Sequence, residues 1–103
     1  MKVTIQTPGF TGRPELLKFT EEHIQKLAHL SDRIMEGQVV LSLDKSDDNK
    51  NKVCEARIIV PGYDLFARKT ASSFEEAVTN ACDALRRQIA GWKETTGAAF
   101  PRK

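Results

Sequence analysis

"QVVLSLDKSDDNKNKVCEARIIVPGYDLFARKTA", residues 38–71, is the stretch whose reading decides the fold. Its apolar residues recur at every second position, which is the period of a strand with one buried face. In QVVLSLD, Val39, Leu41 and Leu43 share one face, and Val40 alone breaks the pattern. DKSDDNKNK, residues 44–52, has no apolar residue and is expected to be a mobile, solvated hairpin loop. VCEARIIV then alternates again, with Cys54, Ala56, Ile58 and Val60 toward the core and Val53, Glu55, Arg57 and Ile59 outward. Pro61-Gly62 is a strong turn signal. LFARKTA beyond it reads as a shorter, more polar last strand. Three strands joined by hairpins make an antiparallel meander.

Outward from the meander, both flanks turn helical. On the C-terminal side, Ser73 and Glu76 match a capping box, in which the serine accepts an amide and the glutamate reaches back. Phe74, Val78, Ala81, Leu85, Ile89 and Trp92 follow as an apolar stripe at helical spacing, with Cys82 at its border. Gly97 and Pro101 then mark residues 96–103 as a flexible C-terminal tail. On the N-terminal side, Leu16, Thr20, Ile24, Leu27 and Leu30 line one face of a helix that opens at Pro14 and ends near Ser31 or Asp32. PGFTGRP, residues 8–14, separates it from KVTIQT at residues 2–7, whose Val3 and Ile5 alternate with Lys2, Thr4 and Gln6 as in a half-buried strand. The order is β-α-β-β-β-α. A helical crossover lets the first two strands pair in parallel, and the rest pair through hairpins. Each helix has one apolar stripe, so both are expected on one face of a four-stranded mixed sheet. The expected fold class is α+β, a two-layer sandwich.

The 103 residues suffice for one domain, placed at residues 1–95. A 29% share of charged residues and a net charge of +2 do not by themselves indicate nucleic-acid binding. The distribution says more: residues 66–103 hold seven basic groups against four acidic ones. Cys54 and Cys82 lack the spacing of a zinc or redox motif, and both sit in apolar patterns, as buried free thiols do. No apolar run is long enough for a membrane span, and MKVTIQT has no signal-peptide apolar block, so a cytoplasmic protein is expected. No catalytic constellation, cofactor motif or metal-ligand set is legible. His23 and His29 are six residues apart and point to different faces of a helix. Asp47 and Asp48 lack the continuation of a calcium loop, and Ser72 and Ser73 are accounted for by capping.

Charge remains. With Leu85 at the centre of the buried stripe, about 100° per residue puts Arg86 on its flank and turns Arg87 far toward solvent. Lys93 follows Arg86 by seven residues and lies on nearly the same line. Arg68 and Lys69 precede this helix, while Lys18, Lys26 and Arg33 lie on or just after the first one. If both helices share one side of the sheet, their outer faces are neighbours and these cations can form one surface. Glu75, Glu76, Asp83 and Glu94 dilute it. Phosphate contacts need only guanidinium or ammonium groups, so the pattern is compatible with RNA without being specific to it.

The whole run of elements resembles the ribosome hibernation promoting factor and ribosome-associated inhibitor family, also called the sigma-54 modulation family. The resemblance covers roughly residues 2–95 and rests on KVTIQT, PELLKFTEEHIQKLAHL, VVLSL, EARIIVPG, LFARKTASSFEEAV and ALRRQIAGWK. ALRRQI is similar to the family's K-L-E-R-Q-L, with Arg87 and Gln88 at matching places, and Lys26 in QKL matches the lysine of its A-K-L. Ser73-Phe74-Glu75 departs from the usual Asp-x-Tyr, and Ala84 and Gly91 stand where members carry lysine, a charge that Arg86 partly replaces. The length is similar to that of the short members. The resemblance implies a non-enzymatic translation inhibitor that is monomeric when free and needs no cofactor. It implies the small ribosomal subunit and its ribosomal RNA as partners, in the channel between head and body where messenger and transfer RNA bind. It also implies a likeness to double-stranded RNA-binding domains, which read backbone and shape. Arg86, Arg87, Lys93 and Lys26 are then the main RNA-binding candidates, with Arg68, Lys69, Arg33 and Lys18 behind them. The competing expectation is a protein-partner module that uses the open sheet face or the edge of the last strand. A small enzyme would need a pocket with perturbed groups, for which the residues give no sign.

Overall fold

The computed structural model describes residues 1–45 and 49–99. Its elements are β1 (Lys2–Gln6), α1 (Pro14–Leu27), a 3-10 turn (Ala28–Leu30), β2 (Glu36–Leu43), β3 (Lys52–Val60), β4 (Tyr63–Ala71) and α2 (Phe74–Ala99). The sheet order is β1-β2-β3-β4. β1 and β2 run parallel, from Lys2 opposite Glu36 to Gln6 opposite Val40, and the other pairs are antiparallel. This is the α+β two-layer sandwich that the periodicities predict, with a mixed sheet and both helices on one face.

One core joins the layers. Leu16, Ile24 and Leu27 of α1 and Val78, Leu85, Ile89 and Trp92 of α2 pack on Val39, Leu41, Cys54, Ile58 and Val60 of the sheet. Thr20 lies in the same stripe and is fully buried, but its hydroxyl donates to the Leu16 carbonyl at 2.8 Å, so no polar group is left unsatisfied there. Gly37 of β2 lets α1 come close: a Cβ at that position would stand 2.8 Å from Ile24 Cγ2. The β3–β4 link is two residues, Pro61 and Gly62, and Gly62 has the positive φ of 96° that the third position of a type II turn requires.

Local expectations hold with specific corrections. β4 is no shorter than β3; both have nine residues. α1 ends at Leu27 and a 3-10 turn carries the chain to Leu30, short of the expected Ser31. Val53 points to the outer sheet face as expected, yet it is buried, between Ser42 and Thr70 on the neighbouring strands. Ser73 Oγ accepts from the Glu76 amide at 3.1 Å, but the Glu76 carboxylate accepts from the Ser72 hydroxyl instead of closing the capping box. α2 does not give way to a tail at residue 96; it stays helical to Ala99. Residues 100–103, and residues 46–48 of the expected hairpin loop, lie outside the described residues.

Candidate nucleic-acid interface

The two helices run in the same direction. Phe10, just before α1, stacks on Phe74 at the start of α2, with ring centroids 4.9 Å apart. At the other end Arg33, beyond α1, sits with its guanidinium carbon 4.6 Å from the Trp92 ring centroid. The N-terminal end of the helical layer therefore carries Glu15, Glu75 and Glu76 in first turns; Lys26 and Arg33 lie at the opposite end, with Lys93 in the C-terminal half of α2 and Arg86 and Arg87 at its middle. The first-turn glutamates and Lys26 in the last turn of α1 suit the helix macrodipoles, whereas α2 has no cation in its last turn.

Rotation about each axis is set by side-chain ties to the sheet edges. Gln88 of α2 bonds the Phe66 backbone of the edge strand β4, with Nε2 donating to the carbonyl at 2.7 Å and Oε1 accepting from the amide at 3.1 Å. Arg86 is two residues earlier, about 160° around the helix, so it lies on the flank turned toward α1. Lys93 shares its line. Arg87 crowns the helix on the side away from the core, and all three are exposed. On α1, Gln25 Nε2 donates to the Met1 carbonyl at 2.8 Å and so marks the flank above β1. Lys26, one residue on, rises to the exposed crest. Lys18, seven residues before Gln25, shares Gln25's line and faces away from α2.

The sequence candidates thus divide. Arg86, Arg87, Lys93 and Lys26 lie exposed on the outer surface of the helical layer, and Arg33 lies beyond α1 against Trp92. Lys18 is on the far flank of α1. Arg68 and Lys69 are split by strand alternation. Lys69 points to the helix side and is half-buried, opposite Cys54. Arg68 points to the outer sheet face, where Nε donates to Glu55 Oε2 at 3.1 Å. Arg86 also has a carboxylate neighbour, Asp83 at 3.1 Å, one turn back. Both pairs are about half exposed, the class of surface pair that contributes at most about 1 kcal/mol, so Arg86 can leave Asp83 for a phosphate at little cost. Among the described residues, Arg87, Lys26 and Lys93 have no carboxylate within salt-bridge distance.

Two cations that periodicity did not single out, Arg13 and Lys52, line a cleft of about 340 Å³ at the other end of the layer, with Phe10, Phe74, Ser72 and Ser73. The two thiols are buried and inert. Burial, then the nearby charges of Cys82 and Glu55, pushes Cys54 up to about 12. Burial pushes Cys82 up to about 11, against the lowering effect of Arg86. Neither is activated for nucleophilic chemistry. Among the described residues no group of three His, Cys, Asp or Glu is placed to hold a metal ion, and no helix is long and apolar enough to cross a membrane.

Comparison with known proteins gives a consistent family and fold. The model of the Sigma 54 modulation protein / S30EA ribosomal protein family matches residues 3–96. A ribosome hibernation promoting factor from Acinetobacter guillouiae is 27% identical over 95 residues, spanning 86% of this chain and 84% of that one. A ribosomal subunit interface protein from Coxiella burnetii superposes with a TM-score of 0.76 at 18% identity, covering 91% of this chain and 99% of that one. The N-terminal domain of Thermus thermophilus Protein Y superposes with a TM-score of 0.77 at 18% identity, covering 89% and 99%.

Proposed function

This chain belongs to the Sigma 54 modulation protein / S30EA ribosomal protein family, and from that premise we propose that it is a ribosome-bound, non-enzymatic inhibitor of translation. Its partner is the small ribosomal subunit and the RNA of that subunit; its place is the cytoplasm, where the free protein is a monomer. The observation that carries this is the exposed outer surface of the helical layer, where Arg87, Lys26 and Lys93 face solvent with no carboxylate of the described residues at salt-bridge distance and Arg86 is exposed as well. Such groups displace counterions from an RNA backbone and need no base readout. The sandwich beneath them is one rigid domain. Seated on ribosomal RNA, it excludes messenger and transfer RNA by occupying their space. Lys18, Arg68 and Lys69 stand outside this contact, and Arg33 borders it.

Salt dependence tests the proposal. Four phosphate contacts give a slope of log K against log salt of about −3, measured by ribosome co-sedimentation across a salt series. A salt-independent affinity would point instead to the second reading, a protein partner on the open sheet face. That reading is favoured by Phe66, 41% exposed on a face where Arg57 is paired with Asp64 at 3.2 Å and Arg68 with Glu55 at 3.1 Å.

A further inference from the structure

β4 is an edge strand of nine residues, and an unpaired edge of that length is a template for another strand. Its middle is not open. The Gln88 side chain gives the Phe66 backbone one donor and one acceptor, at 2.7 and 3.1 Å, which is the two-bond exchange a neighbouring strand would make. Since the Phe66 amide and carbonyl point away from β3, strand alternation turns the backbone groups of Asp64, Arg68 and Thr70 the same way.

That edge is complementary to itself. If a second copy pairs its β4 antiparallel about a two-fold axis at Phe66, Phe66 meets Phe66 and Asp64 of each copy meets Arg68 of the other. An aromatic pair and two opposite-charge pairs on one face are the cross-strand contacts that stabilise sheets. The same three residues use their outward backbone groups, so side chains and ladder agree on one register. We propose that Gln88 is an edge guard: its amide occupies the centre of β4 and denies that edge to the β4 strand of a second copy of this chain. The guard operates whether or not the chain binds ribosomes.

Amide exchange and sedimentation equilibrium test it together. In the wild-type chain the Phe66 amide should exchange as slowly as the β2–β3 ladder amides, while those of Arg68 and Thr70 exchange freely, and the chain should stay monomeric. Gln88→Leu keeps the volume and removes both bonds; it should form a concentration-dependent dimer, and adding Asp64→Lys, which sets like charges against Arg68, should return it to monomer. Should Gln88→Leu fail to fold, Gln88→Glu serves instead. Its ionised carboxylate accepts from the Phe66 amide but repels the Phe66 carbonyl, so it should dimerise near neutral pH and return to monomer when protonation restores a donor. A fast-exchanging Phe66 amide in the wild type, a wild-type dimer, variants that remain monomeric with native circular dichroism, or a dimer indifferent to Asp64→Lys would each overturn the proposal.

Discussion

Leu85 is the residue on which the C-terminal helix turns, and it is wholly buried. Leu85→Ala is expected to lose about 2–5 kcal/mol of stability, since the facing sheet cannot close the cavity; urea unfolding measures it. At this scale the sequence was most legible where a side chain is apolar. Cys54 and Cys82 were expected to be buried thiols, and they are. Their folded values near 12 and 11 lie above the ordinary 9.0, so their contribution to stability is complete below pH 9 and is lost as pH rises toward those values. At pH 8 a water-soluble disulfide reagent should label neither thiol in the folded chain and both in urea. Labelling of the folded chain would show that the thiols are reachable. Polar residues were harder to place. Nothing in the periodicity shows that Glu76 turns to Ser72, or that Gln88 reaches across to Phe66, because a long flexible side chain takes whichever partner the tertiary structure brings near.

The elements were legible because both periods are clean: alternation in residues 38–71 and a single apolar stripe on each helix. Their ends were not. Cap residues fix where α2 starts, but its end at Ala99 lies past Trp92, the last core residue among the described side chains. α2 spans about 39 Å and a nine-residue strand about 30 Å, so the helix overhangs the sheet. Helix-to-sheet spacing was equally hidden, since it depends on one small residue. Gly37→Ala would place a methyl 2.8 Å from Ile24 Cγ2 and push α1 off β2. The expected cost is about 1–3 kcal/mol by chemical denaturation, with secondary structure retained; an unchanged midpoint would mean that α1 yields freely.

For the whole molecule, the parallel run of α1 and α2 lays their outward cations on one side of the sheet, the surface proposed to meet RNA. The exposure of Lys26, Arg86, Arg87 and Lys93 on the helical layer followed from the helical periods. The placement of Lys18, Arg68 and Lys69 did not, because which flank faces a neighbour is set by the Gln25 and Gln88 ties and by strand alternation, neither visible in composition. The comparison that decides between the two faces is ribosome co-sedimentation at fixed salt of the wild type, Arg86→Glu/Arg87→Glu and Arg68→Gln, with unfolding midpoints confirming that each chain is folded. The helical layer as the RNA-binding surface predicts that the double variant stays in the supernatant while Arg68→Gln pellets like the wild type. A double variant that pellets normally, or an Arg68→Gln chain that is lost as completely, would contradict it.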